Sequence, residues 1–294
     1  MVESPSTLVL VGGSGLGGWV WERVVPLLER RGHRVVTPHL RGIDGDPTPA
    51  AEVTLSDWAD DLAAAVEGEA DGQGGKGVTV VAHSFAAYVT AGALVRLSTS
   101  GRTPARAVAP PVTSERTPAR PSTPLTTSAH APAPRTSAVR AVVMVDAVLP
   151  SPGRSWFDQQ RPGAAEVMPL LAVDGATPWF TRQEIDALFP GHGLTDADHA
   201  WMASRVSGQP LGTYAEPAPD FELADSGVAL GYVRCLRTDP PTSSVTASTP
   251  GWSYREIDAG HWPMVTAPEE TAAVLDELAR SLTGVSGGGP TPGR

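Results

Sequence analysis

One cysteine, Cys235, stands among the 294 residues. No internal disulfide can form, and there is no set of thiolates to hold a metal. Basic residues are outnumbered: 22 Lys and Arg face 32 Asp and Glu, a formal net charge of -10. Phosphate binding needs a basic surface, so a nucleic-acid partner is not expected. The acidic balance itself names no substrate and mainly favours solubility. Long apolar runs are missing too. The opening stretch MVESPSTLVLVGG has no basic segment leading into an extended apolar core, and no run in the chain is long enough to span a bilayer. These absences predict a soluble protein of a reducing cytoplasm, without a membrane partner. His33, His130, His192 and His199 lack the paired spacing of metal ligands, so no metal and no other cofactor is expected.

What is present centres on Val78 to Thr90, VTVVAHSFAAYVT. An apolar β-branched run breaks at Ala82-His83-Ser84-Phe85-Ala86 and passes into an Ala-rich segment of helical character. Strand, sharp turn and helix put Ser84 at the apex, the arrangement of a nucleophile elbow. Small residues flank such a serine because strand and helix backbones nearly touch there. Alanine stands at both positions usually held by glycine, Ala82 and Ala86, a departure of one methyl group each.

Upstream, Thr7 to Val11 reads as a buried strand, Trp21 to about Arg30 as a helix, His33 to Thr37 as a strand, and Ser56 to Glu67 as an amphipathic helix. With the elbow strand and helix, this alternation predicts a parallel sheet with helices on its faces. The turn after the first strand, Gly13-Ser14-Gly15-Leu16-Gly17-Gly18, satisfies G-x-G-x-x-G. A dinucleotide site would also need a carboxylate ending the next strand, where Thr37-Pro38-His39 stands instead. The turn is therefore either an oxyanion loop or a plain tight turn, and glycines alone do not separate the two.

After the elbow helix fades near Leu97, Ser98 to Arg140 is dominated by Pro, Ser, Thr, Ala and Arg without apolar periodicity, and is predicted to be a disordered insertion. Ala141 to Val145 resumes the core as a strand ending at Asp146. Residues 151–223, rich in aromatics and short helical segments, read as a helical cap lying over the sheet, whose aromatics would select an apolar group of a ligand or, for most of them, only pack within the cap. Val228 to Leu236 and Trp252 to Ile257 are strands, Pro268 to Leu282 is an amphipathic helix, and the tail from Gly284 is linker-like. The expected organisation is a core of 1–97, 141–150 and 224–283, with the insertion at 98–140, the cap at 151–223 and a flexible tail at 284–294.

Ser84, Asp239 and His261 each fall just past a strand, in the chain order Ser, acid, His. A serine hydroxyl is a weak nucleophile until an imidazole takes its proton, and a carboxylate fixes that ring's tautomer. Asp239 is the favoured acid. Asp146, one strand earlier, is the first rival, and Asp258 stands too close to His261 along the chain to serve well.

These residues, with Val9-Leu10-Val11-Gly12-Gly13, Trp19-Val20-Trp21, Arg41-Gly42 and Asp258-Ala259-Gly260-His261-Trp262-Pro263-Met264, resemble the α/β-hydrolases of the plant methylesterase and hydroxynitrile lyase group and their bacterial relatives. The likeness covers nearly all of the chain except the Ser98 to Arg140 insertion. It implies an α/β-hydrolase fold, mainly parallel with a helical cap, and a small ester as substrate. By the same resemblance Ser84 is the nucleophile, His261 the general acid and base, Asp239 the orienting acid, and the Ser14 and Phe85 N–H groups the oxyanion hole. Trp19 and Trp262 are expected as pocket walls, and His83 either lines the pocket or packs beside it. The cyanohydrin-lyase branch carries a threonine after the oxyanion-loop histidine and a lysine after the catalytic one; here those places hold Gly13 and Trp262. A small-molecule-binding protein without catalysis is the remaining alternative, and oligomeric state is left open.

Overall fold

The computed structural model describes residues 6–72, 77–100, 138–160 and 162–284. Most of the Pro/Ser/Thr-rich insertion, 101–137, and the tail from 285 lie outside the described residues. Six parallel strands form the central sheet: β1 (Thr7–Val11), β2 (Arg34–Val36), β3 (Val78–His83), β4 (Val139–Val145), then β7 (Ala229–Cys235) and β8 (Trp252–Ile257). Their order is β2-β1-β3-β4-β7-β8. The chain moves outward from β1 to β2 and then crosses back to place β3 on the other flank of β1. The β1/β3 boundary is therefore the switch point of the sheet, where a crevice opens beyond the strand ends.

The central strands are apolar on both faces because both are covered. Val9 and Val11 of β1 join one core with Val80 and Ala82 of β3 and Val142 and Met144 of β4, under α2 (Leu55–Gly72) and α3 (Ala86–Ser100). The alternate residues Leu8, Leu10, Val81, Val143 and Val145 join a second core under α1 (Val25–Arg30) and α9 (Pro268–Gly284). The α3 helix continues to Ser100 and β4 begins at Val139, so the stretch expected to be disordered is ordered at both ends. Packing explains the difference: Leu97 and Val139 are buried in the first core. The segment between Trp21 and Arg30 is also more broken than its periodicity suggests. A single 3₁₀ turn at Gly18–Trp21 precedes α1, whose first residues are Val25-Pro26.

Between β4 and β7 lie α4 (Ala164–Leu171), a two-stranded antiparallel pair of β5 (Ala176–Thr177) and β6 (Gln209–Pro210), α5 (Arg182–Leu188), α6 (Asp196–Ala203) and α7 (Leu211–Ala215). Thr181 and Thr195 open α5 and α6 with capping boxes, each hydroxyl accepting from the backbone N–H three residues on. A short helix, α8 (Pro263–Thr266), follows the loop of His261 directly. No helix among the described residues is long and apolar enough to cross a membrane.

The α2 and α3 helices meet through a small-residue contact: a Cβ on Gly92 would lie 2.6 Å from the Cβ of Ala59. Overpacking a tight interior contact costs about 1–3 kcal/mol. Gly92→Leu is expected to lower the thermal midpoint by several degrees, as followed by circular dichroism, whereas Gly68→Leu, with open space around it, is not.

Candidate active site

At the end of β3 the backbone turns sharply. Ser84 takes a left-handed conformation, φ 53°, which a residue with a side chain adopts only when its surroundings impose it. Its N–H donates to the Val145 carbonyl at 3.1 Å and its carbonyl accepts from Val148 at 3.3 Å, so the neighbouring strand holds the turn on both sides. Ala82 and Ala86 are completely buried, so the elbow accommodates their methyl groups. Real crowding occurs at Gly13, where a Cβ would lie 2.9 Å from both the Ser84 Cβ and the His83 Nδ1. The loop after β1 can approach the elbow this closely only with glycine there.

The His261 imidazole bridges two strand ends. Its Nε2 is 3.0 Å from the Ser84 Oγ and its Nδ1 is 2.7 Å from Asp146 Oδ2. With Nδ1–H donating to the carboxylate, Nε2 presents its lone pair to the serine hydroxyl. The acid beside the imidazole is therefore Asp146, not the expected Asp239. Asp146 ends β4 in a left-handed conformation, φ 42°, with its N–H on the Val233 carbonyl at 2.8 Å, and this turns its side chain toward His261. The β7 end contributes Thr238 instead, one residue before Asp239, whose hydroxyl donates to Asp146 Oδ2 at 2.7 Å. Asp239 itself makes no hydrogen bond or ion pair with His261 among the described residues. Asp258 is turned away, held by the Arg237 guanidinium at 2.8 Å.

Asp146 is fully shielded from solvent. Burial pushes its carboxyl upward, but the His261 bond and charge, the Thr238 hydroxyl and the Cys235 N–H outweigh that and leave it below the usual carboxylate range. His83 is also buried, and burial together with the neighbouring His261 lowers its imidazole to about 3. It stays neutral at working pH, with Nε2–H donating to the His261 carbonyl at 2.7 Å. Burial raises the Cys235 thiol well above its ordinary value, first among its causes, which makes this lone cysteine unreactive.

The Gly13–Gly15 loop is fastened from the cap side. Gln209 Oε1 accepts from the Gly15 N–H at 2.7 Å and Ser207 N–H donates to the Gly15 carbonyl at 3.1 Å. Gln209 is 4 % exposed and its amide N–H is used on Thr213. Of the two residues expected as oxyanion donors, Ser14 lines the cavity together with Ser84 and Phe85 follows Ser84 directly in the elbow, buried.

That cavity is about 400 Å³, a size suited to a small ligand. Of its lining residues Leu16, Trp179, Phe180, Phe189 and Trp262 pack with the α1/α9-side core, with Leu188 next to Phe189 in sequence, and Val148, Trp156, Met168 and Tyr214 pack with the α2/α3-side core, with Gln160 and Ala164 between Trp156 and Met168 in sequence. His83 and Trp262 are among its lining residues, and Trp19 is not. Its partly buried indole packs edge-on against Trp201 of α6 at 5.2 Å. The cap aromatics also do more than pack within the cap, since Trp156, Trp179, Phe180 and Phe189 face the cavity. Among the described residues no Asp, Glu, Lys or Arg lines the cavity, and no cluster of His, Cys, Asp or Glu could hold a metal ion.

A crevice at the switch point, a strained serine at its edge and a histidine and aspartate from later strand ends define a hydrolase-type site, and the chain belongs to the alpha/beta hydrolase family, whose model matches residues 8–274. It is 25% identical over 292 residues to a carbendazim hydrolyzing esterase from Nocardioides sp., covering 93% of this chain and 99% of the relative. Among solved structures it is similar to an extracellular alpha/beta-hydrolase from a Paenibacillus species (TM-score 0.66, 16% identity, 94% of this chain and 100% of the other). It is also similar to a methylesterase from Arabidopsis (TM-score 0.61, 13% identity, 94% and 99%).

Asp146→Asn is expected to lower ester turnover by about 10⁴ in kcat through loss of the correct imidazole tautomer, with Asp239→Asn within a few-fold of the parent; steady-state kinetics of both variants checks this. Asp146 also contributes to stability with a defined sign. Its depressed value means the unfolded chain binds the extra proton, so the contribution is complete above about pH 5 and is lost as pH falls through the folded-state value. The stability gap between parent and Asp146→Asn, measured by urea unfolding, should narrow as pH is lowered from 6 to 3.

Proposed function

We propose that this protein is a serine hydrolase that cleaves a small, uncharged, apolar ester through an acyl-enzyme. The observation that carries the proposal is the continuous hydrogen-bonded chain from Ser84 to His261 to Asp146 at 3.0 and 2.7 Å, opening into a cavity walled by aromatics. In this reading His261 Nε2 takes the Ser84 proton as Oγ attacks the ester carbonyl. The N–H groups of Ser14 and Phe85 receive the developing oxyanion, each such donor contributing about 3 kcal/mol. The imidazolium then protonates the departing alcohol, and a water activated by the same ring releases the acid.

The esterase named among the relatives is consistent with this class of reaction. The described lining of the cavity favours uncharged substrates, because a carboxylate carried in among these residues would lose water without gaining a cationic partner from them. The cavity also gives no support to cyanide release, since among the described residues no Lys or Arg lines it.

The test is labelling with a fluorophosphonate probe together with turnover of p-nitrophenyl esters. Both are expected in the parent and absent in Ser84→Ala. Tight binding of small esters without labelling would replace the hydrolase reading by a non-catalytic one. In addition, p-nitrophenyl butyrate is expected to be cleaved at least about 10²-fold more efficiently than the equally long hemisuccinate, as read from kcat/KM.

A further inference from the structure

The two walls of the cavity differ in what they touch. Phe189 lies parallel to the His261 ring at 5.1 Å, Phe180 packs on Phe189 at 5.6 Å, and Trp179 and Trp262 meet at 6.4 Å. This wall is therefore built on the histidine, and its residues belong to the core on the α1/α9 face of the sheet. On the opposite side Trp156 stacks on Tyr214 at 4.0 Å, and Tyr214 meets Phe85 edge-on at 4.9 Å and lines the cavity with Ser14. That wall is built on the proposed oxyanion donors, and Trp156 and Met168 pack with the core on the α2/α3 face.

We infer that the walls sort the two halves of the ester: the alcohol half is a flat, aromatic group held by Trp179, Phe180 and Leu188, and the acyl half is an aliphatic chain held by Trp156, Ala164 and Met168. The inference rests on the serine-hydrolase reading, and its chemistry fixes the direction. Ser84 Oγ bonds to the acyl carbon as its proton moves to His261 Nε2. The bond from that carbon to the alcohol oxygen then breaks, and the same proton passes from Nε2 to the departing oxygen. The departing oxygen must therefore lie beside the imidazole, and its substituent meets the histidine-side wall. The acyl substituent is left to the other side. Flat rings suit a wall of Trp and Phe, where offset and edge-on packing adds to area burial. Met168 and Ala164 instead offer an adaptable, aliphatic surface, methionine filling irregular space well.

Two peripheral positions allow each wall to be filled without touching the reacting groups. Leu188 is 49% exposed at the rim of the histidine-side wall, and Ala164 opens α4 at the rim of the other. Two substrate series are needed: acetates of ethanol, phenol and 2-naphthol, and p-nitrophenyl esters from acetyl to octanoyl. For Leu188→Trp the expected result is a loss of at least about tenfold in kcat/KM for 2-naphthyl acetate relative to ethyl acetate, with the parental order of acyl-length preference. For Ala164→Trp the expected result is a shorter longest-accepted acyl chain and slower deacylation of the long-chain acyl-enzyme, with the parental order of alcohol preference.

Rapid-quench mass spectrometry of Ser84 separates the two layers of the argument. If Ser84 acquires the acyl group but the two variants exchange phenotypes, or each alters both series equally, the sorting is overturned and the hydrolase reading stands. If no acyl group is found on Ser84 with either series, both are overturned.

Discussion

A carboxylate with no access to water must have its charge answered by protein donors, and the centre of this molecule is arranged around that requirement at Asp146. Four groups converge on it: the His261 ring, the Thr238 and Thr242 hydroxyls and the Cys235 N–H. They come from two separate segments of chain, so the β7 end and the loop after β8 must both be in place before the charge is compensated. An unpaired charge at such depth costs several kcal/mol. The same bonds that make Asp146 tolerable also orient His261, so local stability and the geometry at Ser84 derive from one set of contacts.

Two adjacent parallel strands, β3 and β4, end in left-handed residues, Ser84 and Asp146. Each of these residues hydrogen-bonds through its N–H to the neighbouring strand, Ser84 to Val145 and Asp146 to Val233. The sheet therefore imposes both turns in sequence, β7 on β4 and β4 on β3. Residues at strand ends acquire positions that neither could hold in isolation, and strain at one apex is supported by register at the next.

Much of this was legible before any coordinates. The strands Thr7–Val11 and Trp252–Ile257 are bounded as their patterns indicate, and Ser84 and His261 meet as the elbow and the Asp-Ala-Gly-His stretch suggest. The acid was not legible in the same way. Asp146 and Asp239 both follow core strands, and chain order does not report which carboxylate points at the ring. That depends on a single left-handed residue and on a threonine placed one position before the wrong aspartate. A clue did exist: Thr238 is a hydroxyl donor directly after a buried strand, the kind of residue that serves a buried acceptor. The roles of Trp19 and of the cap aromatics were illegible for a related reason. Tryptophan in a glycine-rich turn and tryptophan in a cap have the same composition signal, and only the packing of Trp19 on Trp201 separates a core residue from a wall.

The bond from Gly15 to Gln209 has a consequence for how such proteins diversify. The loop that approaches Ser84 belongs to the first strand of the core, yet its hydrogen-bond acceptor is supplied some two hundred positions later, by a segment of the cap. Core and cap are thus not freely interchangeable modules. A lid transplanted from a relative would have to bring its own acceptor to the same spot, or leave a peptide group of the loop without a partner and the loop free to drift. Diversification of the lid is consequently tethered at Gln209, whatever changes elsewhere in it.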